Sequence, residues 1–390
     1  MMHAHMKPPA FAEFFAPVLD GLYRAGQEAY KSTLLMHVIR RRSELGRPPV
    51  AWPSVGTTPH EVLWQQGSAR LLRYRAPSAK SAVAATPILA VCSLINRPYV
   101  LDLLPERSVV RRLLDGGRDV WLLDWGAPLF GDEQRDLASY ALDVLGGAVD
   151  EVRRVTGAEA IDVLGYCMGA TLALLSAGAG RVPLRSLVAM AAPVRFDDGG
   201  MLSTWARVPS FDPRQVVAVY GNAPPHLLQP AFKMLDPAGL ATKLVHLDDK
   251  LGDDAFVRFV LAMETWLEDS VAFPGGAFVD WISLYRDDAL IGGKARLGRH
   301  RVSVASVEAP ILNLIAEGDY ITPPASSLAL AEACPRAAIE VRRVPGGHIG
   351  LATSSYAQRT LWPEVAAWLA RLDAPPARAT RPRPRTKRSK

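Results

Sequence analysis

The chain has 390 residues, 49% of them hydrophobic and 22% charged, which allows one large core with an inserted subdomain and excludes a disordered or fibrous protein. The formal charge of +6 belongs to its end: Arg378, Arg381, Arg383, Arg385, Lys387, Arg388 and Lys390 are seven basic residues in a stretch without acids, and removing them leaves −1 for the rest. Three cysteines, Cys92, Cys167 and Cys334, without a C-x-x-C or His/Cys cluster, speak against a disulfide framework or a metal site and fit a reducing cytoplasm.

The start, MMHAHMKPPA, holds no long apolar run, and no uninterrupted apolar stretch of about 18 residues occurs anywhere. Neither a signal peptide nor a membrane span is therefore expected. Residues 11–44 predict a helix, with Phe11, Phe14, Phe15, Val18, Leu19 and Leu22 at helical spacing and Pro17 interrupting its first turns. That apolar stripe fits packing on the main domain; it also fits a surface for a partner subunit or an apolar particle. Residues 46–60, rich in Pro, Gly and Thr, read as a linker. A strand–helix alternation follows. Strands are expected at Ala69–Tyr74, Pro87–Val91, Asp119–Asp124, Ala160–Leu164 and Leu187–Met190. Helices are expected to end at Gly116 and to cover Leu137–Thr156 and Ala170–Gly178. This pattern predicts an α/β chain with a mostly parallel central sheet and helices on both faces. Residues 195–299 break it: they carry Trp205, Trp266, Trp281, Phe211, Phe232, Phe256 and Phe259, several prolines and no clear strand, and read as an inserted, mainly helical cap. The sheet resumes at Ala309–Ile315 and Ile339–Val344, and Leu361–Leu372 is a closing helix. The expected organisation is an N-terminal segment and linker over 1–57, a core over 58–194 and 300–373, a cap over 195–299, and a basic, disordered tail over 374–390.

Within that alternation, Gly165-Tyr166-Cys167-Met168-Gly169 follows a strand and precedes a helix. This is the nucleophile-elbow pattern G-x-S-x-G with Cys in place of Ser, and its strand–turn–helix setting resembles the α/β-hydrolase fold. The helix N-terminus behind Cys167 favours the thiolate. Cys92 and Cys334 have no such turn around them and read as core or incidental residues. In this fold the nucleophile is followed in chain order by an acid and then a histidine. Glu317-Gly318-Asp319 follows the strand Ile311–Ile315, which makes Asp319 the candidate acid, with Glu317 a neighbour able only to cap the loop. Val344-Pro345-Gly346-Gly347-His348 follows the last strand and makes His348 the candidate base. His3, His5, His37, His60, His226, His246 and His300 follow no late sheet strand. Two backbone N–H groups must receive an oxyanion: Met168, next to the nucleophile, and a residue of the loop after Pro87–Val91, near Leu94 or Ile95. A thiol exchanges an acyl group with a CoA thioester almost isoenergetically, so Cys167 in place of serine hints at a thioester donor and an alcohol acceptor.

Together these residues resemble the polyhydroxyalkanoate synthases. Ser93-Leu94-Ile95-Asn96-Arg97-Pro98-Tyr99-Val100-Leu101-Asp102-Leu103 is similar to that family's P-x-I-N-R-x-Y-I-L-D-L segment, Val120–Trp125 with Gly126 to its strand ending in a W-G pair, and Pro345–Gly350 to its histidine loop. Met263-Glu264-Thr265-Trp266 and Asp269-Ser270 are similar to a cap segment of the short, class III type, which works with a second subunit. The resemblance runs from about residue 58 to 372. The chain departs from the family's pattern at Ala170, where a third Gly is frequent, at Tyr320, where His is common, and at Cys92-Ser93, where Pro-Pro is common. The resemblance implies polymerisation of (R)-3-hydroxyacyl-CoA, commonly 3-hydroxybutyryl-CoA, into polyester with release of CoA. It implies Cys167 as acyl carrier, His348 activating Cys167 or the incoming hydroxyl, and Asp319 supporting it. It also implies a homodimer or hetero-oligomer at the surface of cytoplasmic polymer granules, with the CoA thioester as substrate and no separate cofactor or metal. A thioesterase or a depolymerase of the same polymer would show the same triad, and a granule-coating protein could keep the fold without turnover. The basic tail fits a solvated segment or a contact for an acidic partner; it could also meet nucleic acid through phosphates, though no interleaved aromatics are there to stack on bases.

Overall fold

The computed structural model describes residues 10–75, 86–129, 131–237 and 239–373; the basic tail from residue 374 lies outside the described residues. An eight-stranded sheet organises the fold. Its strands are β1 (His60–Gln66), β2 (Ala69–Tyr74), β3 (Pro87–Val91), β4 (Asp119–Asp124), β5 (Ile161–Tyr166), β6 (Leu184–Met190), β7 (Ile311–Ala316) and β8 (Ile339–Val344), in the spatial order β1-β2-β4-β3-β5-β6-β7-β8. β2 pairs antiparallel with both β1 and β4, and every pairing from β4 to β8 is parallel. The observed architecture is therefore the α/β class that the alternation predicts.

Strands of this kind are apolar on both faces because both are covered. In β3, Leu89 and Val91 join one core cluster while Ile88 and Ala90 join the other. Trp121 and Leu123 of β4 alternate in the same way with Val120 and Leu122. One face is covered by α3 (Leu145–Thr156) and α4 (Met168–Gly178); the other by α2 (Val109–Asp115) and the closing helix, which spans Trp362–Asp373. α4 is apolar all round, and every residue from Met168 to Ser176 is buried, as expected of a helix at the centre of a domain.

Among the described residues, the α-helices between β6 and β7 are α5 (Met201–Ala206), α6 (Pro213–Tyr220), α7 (Pro225–Met234), α8 (Gly239–Asp249), α9 (Asp254–Glu268) and α10 (Gly275–Asp287). The long α1 (Ala10–Glu44) packs on these cap helices rather than on the sheet. Leu34 and Val38 sit in a cluster with Leu247, Leu251, Val257, Val260 and Leu261. Arg42 is fully buried there and donates to Pro48 O at 3.0 Å, Leu251 O at 2.7 Å and Asp254 Oδ1 at 2.7 Å, so its charge is both paired and hydrogen-bonded. Val18, Leu19 and Leu22, from the stripe of the same helix, stay exposed.

Several observed elements differ from the sequence expectation. β1 begins at His60, where a linker was expected, and reaches through HEVLWQQ; its apolar and polar residues alternate unevenly because it is an edge strand with a bulge between Val62 and Trp64. α1 runs unbroken through Pro17, correcting the expected interruption: proline's fixed φ suits a helix, and one lost N–H near its beginning is tolerated. The helix expected over Leu137–Thr156 opens with a wide π turn at Ser139–Val144 before α3. A two-residue ribbon, Arg296–Leu297 against His300–Arg301, closes the region read as strand-free; strands that short carry no detectable period.

Candidate active site

The site is built on the carboxyl ends of β3, β5, β7 and β8. Cys167 stands between β5 and α4 with φ 54° and ψ −125°. That region is costly for a non-glycine residue, about 1–3 kcal/mol, and the surroundings hold it. Cys167 N–H donates to Met190 O at 2.8 Å, and Ala170 N–H to Cys167 O at 2.9 Å. The glycines of the pentapeptide are required by close approach: a Cβ on Gly165 would lie 2.4 Å from Ala170 Cα, and one on Gly169 would lie 2.0 Å from Val91 O.

Two loops on the neighbouring strands converge on this thiol. Asp319 Oδ1 accepts from the N–H groups of Ile321 (2.9 Å) and Thr322 (2.8 Å), leaving Oδ2 for His348 Nδ1 at 2.7 Å. Gly318 N–H donates to Gly346 O at 2.9 Å, which ties the acid loop to the histidine loop, and Gly346 turns with φ 101°. The Tyr166 ring stacks on the imidazole at 5.2 Å between centroids, and its hydroxyl donates to His348 O at 3.3 Å. A carboxylate oxygen only accepts, so Nδ1 carries the hydrogen toward Asp319 and the other ring nitrogen is left for Cys167. Asp319 and His348 are buried, and Cys167 is partly buried.

Burial opposes charge on the Cys167 thiol, but the adjacent His348 imidazole and hydrogen bonds from His348, Ser93 and the Met168 backbone outweigh it and hold the thiol below its ordinary range. Burial likewise opposes charge on His348, while the Cys167 sulfur and the Asp319 carboxylate hold its proton on and push its pKa upward. The two shifts describe one object, a thiolate–imidazolium pair. Cys92 and Cys334 are pushed the other way by burial, Cys334 to about 12, as expected of inert core thiols. Among the described residues no group of three or more His, Cys, Asp or Glu is placed to hold a metal ion, and no helix is long and apolar enough to cross a membrane.

A cavity of about 520 Å³ opens over Cys167. Cys92, Ser93, Ile95, Asn96, Cys167, Met168 and His348 form its floor, and cap residues such as Trp205, Phe211, Phe232, Trp266 and Trp281 form its walls. Of the cap aromatics noted in the sequence, Phe256 packs instead beside the α1 cluster, and Phe259 stacks under the Arg107 guanidinium at 4.3 Å. Ile95 lines the cavity, whereas Leu94 is buried away from it. The Met168 backbone N–H is among the groups that lower the pKa of Cys167.

Residues 51–113 match the family described as the poly-beta-hydroxybutyrate polymerase (PhaC) N-terminus, and residues 100–354 match the alpha/beta hydrolase fold family. The chain is 36% identical over 324 residues to the poly(3-hydroxyalkanoate) polymerase subunit PhaC of Synechocystis sp., which covers 81% of this chain and 85% of that one. It is 32% identical over 317 residues to the protein of the same description from Allochromatium vinosum, covering 80% and 89%. The chain belongs to the poly(3-hydroxyalkanoate) polymerase family. It is thus an acyltransferase of polyhydroxyalkanoate synthesis. A further polymerase subunit, from Haloferax mediterranei, is 37% identical over 320 residues, covering 81% of this chain and 65% of its own length. The soluble variant of the monoglyceride lipase of Saccharomyces cerevisiae superposes with a TM-score of 0.54 over 83% of this chain and 99% of its own, at 14% identity, and so shares the fold alone.

The polymerase motifs quoted above have identifiable structural tasks here. Trp125, of the W-G pair, donates from Nε1 to Cys92 O at 2.9 Å and fixes the loop after β3. Gly126 has φ +71°, and a Cβ there would meet Ser68 O at 2.3 Å. Asp102 is buried and accepts from Thr58 N (2.9 Å), Thr58 Oγ1 (2.6 Å) and Ser108 Oγ (2.6 Å). Arg97 and Tyr99 reach the cap: Arg97 Nε lies 3.3 Å and Tyr99 Oη 3.1 Å from the Asp269 carboxylate, and Trp266 Nε1 donates to Arg97 O at 2.7 Å. Val271 N–H donates to Ile95 O at 3.2 Å, so the cap holds the same loop that carries the expected oxyanion donor. Ser93 and Tyr166 were not singled out as site residues by the sequence reading. The register signals Ser93: with Val91 opposite Gly165 across β3 and β5, the residue two further on falls beside Cys167.

Proposed function

We propose that this chain polymerises (R)-3-hydroxyacyl-CoA, with 3-hydroxybutyryl-CoA the expected monomer, through an acyl thioester on Cys167. What supports this most is the coupling of the Cys167–His348–Asp319 arrangement to an almost wholly apolar cavity under the cap. The Cys167 thiolate attacks the thioester carbonyl, the carbon–sulfur bond to CoA breaks, and the imidazolium proton of His348 goes to the departing CoA thiolate. A chain-end or monomer hydroxyl then gives its proton to His348 and attacks the Cys167 thioester, lengthening the polyester and returning the thiolate. Asp319 keeps the imidazole in the required tautomer and stabilises its charge. The N–H groups of Met168 and Ile95 receive the developing oxyanion, each worth about 3 kcal/mol in the transition state. The CoA thioester is the substrate, and no separate cofactor or metal takes part.

A second subunit, self-association as a dimer, and work at the surface of a cytoplasmic polymer granule belong to the same proposal; the exposed Val18, Leu19 and Leu22 on α1 are compatible with a partner or an apolar surface. The competing reading is a thioesterase or depolymerase, and an apolar cavity disfavours it because hydrolysis needs water at the acyl carbon. The deciding experiment supplies 3-hydroxybutyryl-CoA, with and without a candidate second subunit, and analyses the products. Polymer together with free CoA is expected; free 3-hydroxybutyrate without polymer would overturn the proposal.

A further inference from the structure

Ser93 stands where the polymerase segment commonly carries proline, and nothing in the proposed reaction uses it. Its position follows from the sheet. β3 and β5 are parallel neighbours, with Ala90 opposite Leu164 and Val91 opposite Gly165. Continuing both chains by two residues brings residue 93 alongside Cys167. The elbow is pressed against this strand end, since the absent Cβ of Gly169 would touch Val91 O at 2.0 Å and Cys92 O at 2.9 Å. Trp125 holds the same loop from behind through Cys92 O. Ser93 is 6% exposed and lines the cavity floor with Cys167 and His348, and its hydroxyl is among the groups that hold the Cys167 thiol below its ordinary range. Proline at this position would have no hydroxyl to offer.

We propose that the Ser93 hydroxyl is a catalytic hydrogen-bond donor to the Cys167 sulfur, dedicated to its role as a leaving group. The inference rests on the reading of Cys167 as acyl carrier. In that reaction the sulfur alternates between two tasks. As nucleophile it forms a carbon–sulfur bond and expels CoA; as leaving group it surrenders that bond to the attacking hydroxyl oxygen and regains its electron pair. A donor aimed at sulfur stabilises the thiolate. It therefore makes the thiolate more abundant and a better leaving group, at some loss of intrinsic nucleophilicity, in the manner of thiol exchange generally. His348 cannot serve this purpose throughout, because it takes the proton of the attacking hydroxyl as the sulfur departs. Ser93 keeps its own proton in every step and only lends it as a hydrogen bond. It faces sulfur when sulfur is charged and is released when sulfur is part of the neutral thioester.

The test compares wild type, Ser93→Ala and Ser93→Thr in two measurements. The first is the pH dependence of iodoacetamide alkylation at Cys167, located by peptide mass spectrometry. The alanine variant is expected to alkylate with a midpoint higher by about one pH unit, the size of one hydrogen bond to a charged group, and threonine to restore the wild-type midpoint. The second is the share of acyl-Cys167 during turnover of 3-hydroxybutyryl-CoA, read by intact-protein mass spectrometry at a pH above both midpoints. There the thiolate is populated in all variants, and alanine is expected to accumulate the acyl-enzyme severalfold while CoA release slows. Should alanine impair folding, Ser93→Gly replaces it and is expected to behave in the same way. Midpoint and acyl-enzyme share both unchanged in a folded, hydroxyl-free variant would overturn the assignment. The alkylation midpoint needs no acyl donor, so a shift seen in a chain that makes no polymer would leave the Ser93–sulfur contact standing and overturn the polymerase reading alone.

Discussion

The two halves of the cavity over Cys167 are built on opposite principles. The floor, at the ends of β3, β5, β7 and β8, is over-determined: Cys167 sits in a strained conformation with its own N–H and C=O both engaged, and the loops of Asp319 and His348 are tied to each other by backbone. The roof, from α5 to α10, is apolar side chains on helices, and near the nucleophile it is joined to the floor by side-chain contacts at Asp269 and Trp266 and one backbone bond at Val271. The difference separates two jobs. The floor holds the groups of the proposed reaction in a fixed geometry, as bond-making needs. The roof has only to exclude water and hold apolar chain, which tolerates looser control. Changes in the floor should therefore abolish turnover, while changes at the seam should redirect it.

The largest effect is expected at the acid. Asp319→Asn keeps the shape of the loop but loses the charge that opposes the imidazolium and the acceptor that fixes the tautomer at Nδ1. CoA release should fall by roughly 10³ to 10⁴-fold, with the melting temperature little changed. A loss below tenfold in steady-state assays would mean that His348 is oriented by something else and that floor and roof are not so different. Cys167→Ala should show no acyl-enzyme at all by mass spectrometry.

Next comes the elbow's tolerance of volume. Gly169→Ala adds one methyl where Val91 O already occupies the space, and neither a strand backbone nor a buried helix start can give way cheaply. It should destabilise the fold by about 3 kcal/mol, read from urea unfolding, and lose thiolate reactivity beyond what the stability loss explains. A variant of wild-type stability and reactivity would show that the floor is softer than its contacts imply.

Floor and roof also differ in how far they are legible in the sequence. The parallel strands announce themselves because both faces are buried and Leu, Ile and Val fill them, and the positions of Cys167, Asp319 and His348 follow from strand ends and chain order. What the sequence cannot carry is contact between segments far apart in the chain. Ser93 matters only through its neighbour across the sheet, 74 positions away. Phe256 and Trp266 look alike as cap aromatics, yet one faces α1 and the other the cavity, because each depends on which helix face the fold turns inward. β1 is missed for a related reason: an edge strand with a bulge lacks the regular alternation that pattern reading needs.

The smallest effect is expected at the seam, and it is the one that best separates the two halves. Asp269 accepts from Arg97 and Tyr99, and its side chain is 47% exposed. An exposed pair of this kind contributes at most about 1 kcal/mol, so Asp269→Asn should leave the unfolding midpoint almost unmoved. Its neighbours make it more than a surface pair. Arg97 is two residues beyond Ile95, and the Ile95 carbonyl is held from the cap by Val271 N–H. Weakening the seam lets the roof lift and admits water to the Cys167 thioester without touching the triad. The expected signature is a constant rate of thiol alkylation, a modest fall in CoA release, and a rise of roughly fivefold in the share of acyl groups ending as free hydroxy acid, the factor that about 1 kcal/mol allows. If Asp269→Asn instead lowered alkylation and turnover together with no change in product ratio, the seam would be part of the floor, and the division between a rigid catalytic base and a water-excluding roof would fail at the place where the two meet.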